Sequence, residues 1–305
     1  MLLGVDIGGT SVKFGVVDEK FNIVHRSNLR TEKGISEKDF LAAVAAECAA
    51  IAKEYPIERI GAGSPGYVDM DAGVIKMAVN LPFKDTPVAK YISDATGIPT
   101  VVGNDATCAA IGELYAGLGA GVRNMVFVTI GTGIGGGIVI DRKIYLGTRG
   151  DAGEIGHICV NVDGEQCGCG RRGCWELYAS VTALKKRTAR AAKAHPNSIL
   201  ARQVEQEGVS GRTAFNAARM GCKVAQLVLD RYLDYLAVGI GNLICIFRPD
   251  VVALGGGLSG EGEGLLKPLC AKLNSDIPVE ISKLRTDAGM IGAAMLHRSI
   301  EEAKK

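Results

Sequence analysis

Apolar positions along the chain fall into short β-branched runs punctuated by glycine and charged turns, with helical stretches between them. Leu2–Ile7 and Val12–Val17 flank Gly8-Gly9-Thr10-Ser11 and predict a hairpin, and Asp18-Glu19-Lys20 turns into a third strand near Asn22–His25. Phe40, Leu41, Val44, Ala45, Cys48 and Ile51 then share one helical face, with Ser36 placed to cap it. Ile60–Ala62 predicts a strand ending in the tight segment Gly63-Ser64-Pro65-Gly66. Thr86-Pro87 opens another helix, as cap and first-turn proline, and Gly97 closes it. Val101–Val102 is a short buried strand, and Asn104-Asp105 stands where it passes into a helix running to about Ala116.

The opening pattern then returns. Met125–Ile130 is a strand, Gly131-Thr132-Gly133-Ile134-Gly135-Gly136-Gly137 a glycine loop and Ile138–Ile140 a strand. Asp141-Arg142-Lys143 matches the earlier charged turn, and Ile144–Leu146 begins a third strand. Two such units predict a duplicated α/β architecture, two similar lobes around a cleft. Helices are expected over Trp175–Ala194 and Gly221–Phe247, a strand over Val251–Leu254 and a final amphipathic helix from Asp287 to about Glu302. The lobe boundary falls in the Gly-rich stretch Gly117–Val122. An N-terminal lobe then covers residues 1–118 and a larger C-terminal lobe residues 119–287, with the helix at 288–305 packing back on the first.

At 305 residues the chain exceeds the size at which one hydrophobic core stops growing, which agrees with two lobes. Its net charge of +2 provides no attraction for nucleic acid or an acidic membrane. The first residues are too short an apolar run for a signal peptide, and the longest run, Leu236–Phe247, is too short to span a bilayer. Nine cysteines without a secretory signal point to a reducing, cytoplasmic setting. The unusual number is 41 glycines, which cluster between apolar runs and suggest backbone lying close to a ligand.

Gly131-x-Gly133-x-x-Gly136 has the form of a dinucleotide fingerprint, but the residues after it read as a strand where that fingerprint needs a helix. No P-loop motif occurs. Two glycine hairpins instead suit a phosphate cradle made of backbone N–H groups, with Asp6 placed to hold Mg²⁺ between phosphates. Cys167, Cys169 and Cys174 follow His157 in a Gly-rich polar loop, a complete tetrahedral set for structural zinc. Cys48, Cys108, Cys222, Cys245 and Cys270 read as small core residues, Cys159 is extra to a four-ligand count, and His25, His195 and His297 as surface residues. A nucleic-acid-binding ribbon would need two C-x-x-C pairs and more than Arg171-Arg172.

Asp6-Ile7-Gly8-Gly9-Thr10 with Lys13, then the loop opening Gly131-Thr132-Gly133, then Gly255-Gly256-Gly257-Leu258-Ser259, resemble the phosphate-1, phosphate-2 and adenosine segments of the sugar kinase/actin superfamily. With the cysteine cluster, the chain resembles the ROK family (repressors, open reading frames, kinases) over essentially its whole length, most closely the bacterial glucokinases. The resemblance implies a two-lobe actin-like α/β ATPase fold with a zinc-binding loop. By chemistry alone Asn104-Asp105 could be a helix cap, and Glu154 and Glu176 could be solvated. The resemblance makes Asp105 the catalytic base and Asn104, Glu154, His157, Glu176 and the Gly66 loop sugar contacts. Asn80-Leu81 is followed by Pro82-Phe83 where glucokinases of the family often carry Gly-Trp.

The expected activity is ATP-dependent phosphorylation of a hexose at its primary hydroxyl, glucose to glucose 6-phosphate, with structural Zn²⁺ and with Mg²⁺ accompanying ATP. N-acetylmannosamine or another hexose such as fructose is the alternative substrate. A homo-oligomer, dimer or tetramer, is implied by the resemblance only. The family's repressors carry a DNA-binding domain before the first glycine loop; here that loop begins at Asp6. A silent sugar-binding protein is the third reading, opposed by Asp105 and the phosphate loops.

Overall fold

The computed structural model describes residues 1–32, 34–78 and 81–304, so Asn80, at the head of the Asn-Leu-Pro-Phe departure, and Lys305 lie outside the described residues. The chain opens with β1 (Leu2–Ile7), β2 (Ser11–Val17), β3 (Ile23–Arg30), α1 (Glu37–Glu54) and β4 (Arg59–Ser64). Next come β5 (Tyr67–Asp69), β6 (Val74–Met77), β7 (Lys84–Thr86), α2 (Val88–Thr96), β8 (Thr100–Asn104) and α3 (Asp105–Ala116). The middle holds β9 (Met125–Ile130), β10 (Ile134–Ile140) and β11 (Lys143–Ile144). Five helices follow: α4 (Glu176–Ala179), α5 (Val181–Ala194), α6 (Ile199–Glu207), α7 (Thr213–Arg219) and α8 (Lys223–Phe247). The chain closes through β12 (Val251–Gly255), α9 (Glu263–Leu273), β13 (Val279–Ile281), α10 (Ala288–Ala294) and α11 (Leu296–Ala303). Among the described residues no helix is long and apolar enough to cross a membrane.

Two compact units result. The first comprises Met1–Phe127, Gly137–Gly153 and Lys283–Lys305, the second Val128–Gly136 and Glu154–Ser282. The division falls inside β9 and β10 rather than at residues 118 and 119. The glycine-rich stretch there is a 3-10 turn, Leu118–Gly121, held to α3 by the Leu118 N–H, which donates to Glu113 Oε2 at 2.8 Å.

The sheet of the first unit has the order β3-β2-β1-β4-β8. Its first three strands are antiparallel, whereas β1, β4 and β8 run parallel, with Asp6 beside Gly63 and Ser64 beside Asn104. The register therefore gathers Asp6, Ser64 and Asn104 at the carboxyl ends of three parallel strands, where open α/β sheets bind ligands. A second sheet, β11-β10-β9-β12-β13, repeats this order when its strands are counted from β9. A three-stranded sheet, β5-β6-β7, has no counterpart in the sequence reading, because strands of three or four residues carry too short an alternation to register.

What seats α10 is the absence of side chains. A Cβ on Gly4 or Gly61 would overlap the carbonyl oxygens of Met290 or Ala293, one on Gly112 that of Ala288, and one on Gly292 that of Cys108. The helix thus rests directly on the backbones of β1, β4 and α3. Glycines concentrate here as well as in loops, which corrects the ligand-loop reading of the whole set. Gly135, Gly136 and Gly137 likewise lie within β10 and not in a loop; Gly137 leaves room for the Ala110 side chain of α3.

Other expectations change in detail. Ser36 caps α1 by accepting from the Asp39 N–H. Thr86, by contrast, ends β7 and accepts from the Lys84 N–H, leaving Pro87 at the cap of α2. The expected helix over 175–194 is broken at Ser180, whose hydroxyl accepts from the Ala183 N–H and restarts it as α5. The last helix is likewise two, joined at Met295. Cys245 and Cys270, expected in the core, are exposed. His297 is half-buried, with Nε2 lying 3.2 Å from both the Ile60 and Pro99 carbonyls.

The seating of α10 makes a signed prediction. Alanine in place of a mid-helix glycine ordinarily stabilises by about 0.5–1 kcal/mol. Gly241→Ala in α8, where a Cβ meets nothing within 4 Å, should do so. Gly292→Ala should instead destabilise by about 3 kcal/mol through overpacking against Cys108. Urea unfolding of both variants tests this; stabilisation by Gly292→Ala would remove the backbone contact.

Candidate active site and metal centre

The sequence-predicted residues fall into two groups, one in each unit. In the first, Gly8 through Ser11 form the β1–β2 turn, closed by the Gly8 N–H donating to the Ser11 carbonyl at 2.9 Å. The Thr31 N–H donates to the Thr10 carbonyl at 3.0 Å and secures the turn from outside, while Gly9 and Thr10 at the tip are exposed. Asp6 pairs across the hairpin with Lys13, Nζ to Oδ2 3.7 Å. Burial holds the Asp6 carboxyl above its usual 3.8, and the charge and hydrogen bond of Lys13 draw it partly back. Gly289 presses close enough that a Cβ there would meet Asp6 Cγ at 3.0 Å.

Asn104 ends β8 and caps α3, its Oδ1 accepting from the Ala106 and Thr107 N–H groups at 2.9 and 3.2 Å. Its Nδ2 donates to the Gly66 carbonyl at 3.2 Å, so one side chain joins the Gly66 turn to the helix start. Gly66 has φ +96° and lies against the Met77 carbonyl, a position closed to any side chain. Asp105 is the first residue of α3, where the positive end of the helix dipole favours a carboxylate. Its Oδ1 accepts from the Ala106 N–H at 2.8 Å. The capping function that chemistry left open for the pair thus belongs chiefly to Asn104.

In the second unit Gly131-Thr132-Gly133 forms the β9–β10 turn, with the Gly131 N–H donating to the Gly133 carbonyl at 3.0 Å. The start of α5 is tied to it: Val181 N–H donates to the Gly131 carbonyl at 2.9 Å, and Thr182 Oγ1 to that of Thr132 at 2.7 Å. Gly255 ends β12, and Gly256 at φ +81° turns the chain against the Ile130 backbone. Gly131, Thr132 and Gly257 line a cavity of about 330 Å³. Gly133, Gly255 and Gly256 do not line it. Leu258, from the expected adenosine segment, also lines it, whereas its other walls, Val181, Ser210, Gly211 and Arg212, were missed. Ser210-Gly211-Arg212 is an unremarkable helix–helix turn in sequence, and only the fold brings it here. Arg212 Nε lies 3.6 Å from Glu261, whose side chain is 4% exposed and also pairs with Arg219 at 2.8 Å.

His157, Cys167, Cys169 and Cys174 place their ligand atoms within 4.8 Å of one another. Cys169 Sγ and Cys174 Sγ are 3.6 Å apart, and Cys167 Sγ lies 3.7 Å from His157 Nδ1. A tetrahedron built on zinc–sulfur bonds of about 2.3 Å has edges of about 3.8 Å. The donor set therefore fits zinc in kind, number and spacing. Glu176 Oε1 accepts from Cys167 Sγ at 3.3 Å and is 3.5 Å from His157 Nδ1, while His157 Nε2 faces Glu154 Oε2 at 3.8 Å. A Cβ on Gly133 would meet Glu176 Oε2 at 2.6 Å, so the glycine turn abuts the same carboxylate. Between Cys174 and Glu176, Trp175 is fully buried, its Nε1–H donating to the Tyr235 carbonyl at 2.8 Å and its ring filling the space left by Gly239 of α8. That anchor fixes ligand and carboxylate together.

The ROK family matches residues 2–300 of this sequence. The chain belongs to the ROK family. A glucokinase of Halalkalibacterium halodurans is 35% identical over 320 residues, covering 99% of this chain and 96% of that protein. The crystal structure of a ROK family glucokinase from Streptomyces griseus, in complex with glucose and AMPPNP, matches with a TM-score of 0.84 at 35% identity, covering 97% of this chain and 98% of its own. An N-acetylmannosamine kinase of Yersinia pestis is 32% identical over 97% of this chain and 98% of its own. The mixed α/β fold is that of ROK sugar kinases, and the glycine turns and Cys/His cluster of this family member lie within the matched span.

The shift at Asp6 sets a stability test. A carboxyl with a folded value above its unfolded one makes the native state bind more protons, so stability falls as pH rises from 3.8 through the folded value and stays lower above it. Asp6→Asn should raise the melting temperature at neutral pH. The gain should fade as pH falls through 3.8 and be gone well below it, where Asp6 is protonated in both states. A lower melting temperature for the variant at neutral pH would contradict the dominance of burial.

Proposed function

We propose that this ROK family chain is an ATP-dependent hexose kinase that converts glucose to glucose 6-phosphate. The observation that carries the reading is Asp105 at the first position of α3, beyond the carboxyl end of a parallel strand, with Asn104 taking the capping load. The Asp105 carboxylate accepts the proton of the sugar's primary hydroxyl as its oxygen attacks the γ-phosphorus of ATP. Asn104, the Gly66 turn, Glu154, His157 and Glu176 are the hydroxyl partners. Backbone N–H groups of the Gly8-Gly9-Thr10 and Gly131-Thr132-Gly133 turns, with Lys13, receive phosphate, and the cavity beside Gly257 takes the nucleoside. Gly255 and Gly256 shape that wall.

Asp6 is the proposed ligand of Mg²⁺, which supplies charge neutralisation on the phosphates. His157, Cys167, Cys169 and Cys174 are the proposed zinc ligands, and zinc supplies structure. With Nδ1 facing the sulfurs, His157 Nε2 is left toward Glu154 and the sugar. N-acetylmannosamine kinases share this family, so the hexose is a proposal resting on the glucokinase relatives at up to 35% identity. Residence in the cytoplasm and assembly into a dimer or tetramer are proposed on the same family ground.

Asp105→Asn preserves shape and hydrogen bonding but cannot take the proton. It should lower kcat about 10²–10⁴-fold, with glucose Kd by calorimetry nearly unchanged. A variant retaining more than about a tenth of kcat would remove Asp105 from the role of base. For the metal, the purified protein should carry about one zinc per chain, and Cys169→Ser should lose it together with thermal stability. Full zinc occupancy and unchanged melting in that variant would exclude Cys169 as a ligand.

A further inference from the structure

We infer that Cys159 and Cys174 form an oxidisable pair, so that a hydroperoxide closes a disulfide between them and withdraws Cys174 from the metal centre. The inference rests on the zinc reading of that centre. Cys159 is exposed and outside the four-residue ligand set. It is nevertheless the direct cross-strand partner of Cys174 in an isolated antiparallel bridge.

The hydrogen bonds decide what kind of partner it is. The Val160 N–H donates to the Gly173 carbonyl and the Trp175 N–H to the Ile158 carbonyl, both at 2.9 Å. These bonds flank the cysteines, which makes Cys159 and Cys174 a non-hydrogen-bonded pair. In such pairs the Cα atoms lie about 4.5 Å apart and the side chains share one face. A disulfide takes Cα separations of about 4.4–6.8 Å, a range that includes the spacing of such pairs, so closure proceeds chiefly by side-chain rotation. Rotation carries Cys174 Sγ away from Cys169 Sγ, 3.6 Å distant in the present arrangement.

Exposure sets the order of events. Cys174 is fully buried, so the reagent meets Cys159 first. The Cys159 sulfur attacks one peroxide oxygen; the S–O bond forms, the O–O bond breaks, and water (from hydrogen peroxide) leaves, giving a sulfenic acid. The Cys174 sulfur then attacks Cys159 sulfur, the S–S bond forms, and hydroxide departs and takes up a proton as the second water. The two sulfurs lose two electrons and the peroxide gains them. A dithiol reverses the step by exchange. The centre meanwhile keeps three donors, and Cys174, two residues before Glu176, is held in a different rotamer. Release of metal and loss of kinase activity follow from one chemical event.

The test treats the zinc-loaded full chain with hydrogen peroxide and reads two quantities. One is zinc released to a chromogenic chelator; the other is the disulfide map by non-reducing peptide mass analysis. Wild type should yield a Cys159–Cys174 linked peptide pair together with released zinc, both reversed by a dithiol with zinc present. Cys159→Ser, an exposed change with its starting zinc content verified, should release zinc about tenfold more slowly, because it lacks the pre-positioned partner. Equal release rates in the two proteins, or Cys174 bridged to Cys167 or Cys169 instead, would overturn the pairing. A chain purified without zinc would count against the metal reading alone, and the peptide map would then still decide the pair.

Discussion

Contact of backbone with backbone is the constraint on which the first unit depends. α10 comes late in the chain, yet its carbonyls lie where side chains on Gly4, Gly61 and Gly112 would be, and its own Gly292 lies on Cys108 of α3. Four positions without Cβ let one short helix hold β1, β4 and α3 at once. Those elements carry Asp6, the Gly63–Gly66 segment and Asp105. Close-packed interiors transmit such constraints because they leave no slack. The candidate base is thus aimed by a contact remote in sequence, and its neighbour Asn104 takes most of the helix capping, accepting from the Ala106 and Thr107 N–H groups.

In the second unit the corresponding constraint is the Cys/His centre. The segment from Glu154 to Glu176 has little regular structure and few apolar side chains to bury. Four ligand atoms within 4.8 Å of one another, and the Trp175 ring seated on Gly239, take the place of a core. The cost is chemical: clustered cysteines are open to oxidation, and Cys159 stands directly across from one of them.

Local chemistry was legible in the sequence. The hairpin glycines, the C-x-C-x₄-C spacing with its histidine, the Asn104-Asp105 step and the Ser36 cap all act within a few residues, and each lies where the pattern placed it. What escaped depends on distant partners. Gly135–Gly137 looked like loop but lies in β10, where Gly137 admits Ala110 of α3, a contact that no local pattern encodes. Helix breaks at Ser180 and Met295 occur inside continuous helical periodicity, and β5 to β7 are too short to show any. Ser210, Gly211 and Arg212 reach the cavity only through the turn between α6 and α7.

Family membership and the placement of Asp105 converge on transfer of phosphate to a sugar's primary hydroxyl. The most direct test incubates the chain with ATP, Mg²⁺ and, separately, glucose, fructose and N-acetylmannosamine, and locates the new phosphate by ³¹P–¹³C coupling in the product. The account predicts fastest turnover with glucose and a phosphate on its C6 oxygen. Phosphate at another carbon, or turnover of N-acetylmannosamine in preference to glucose, would contradict it.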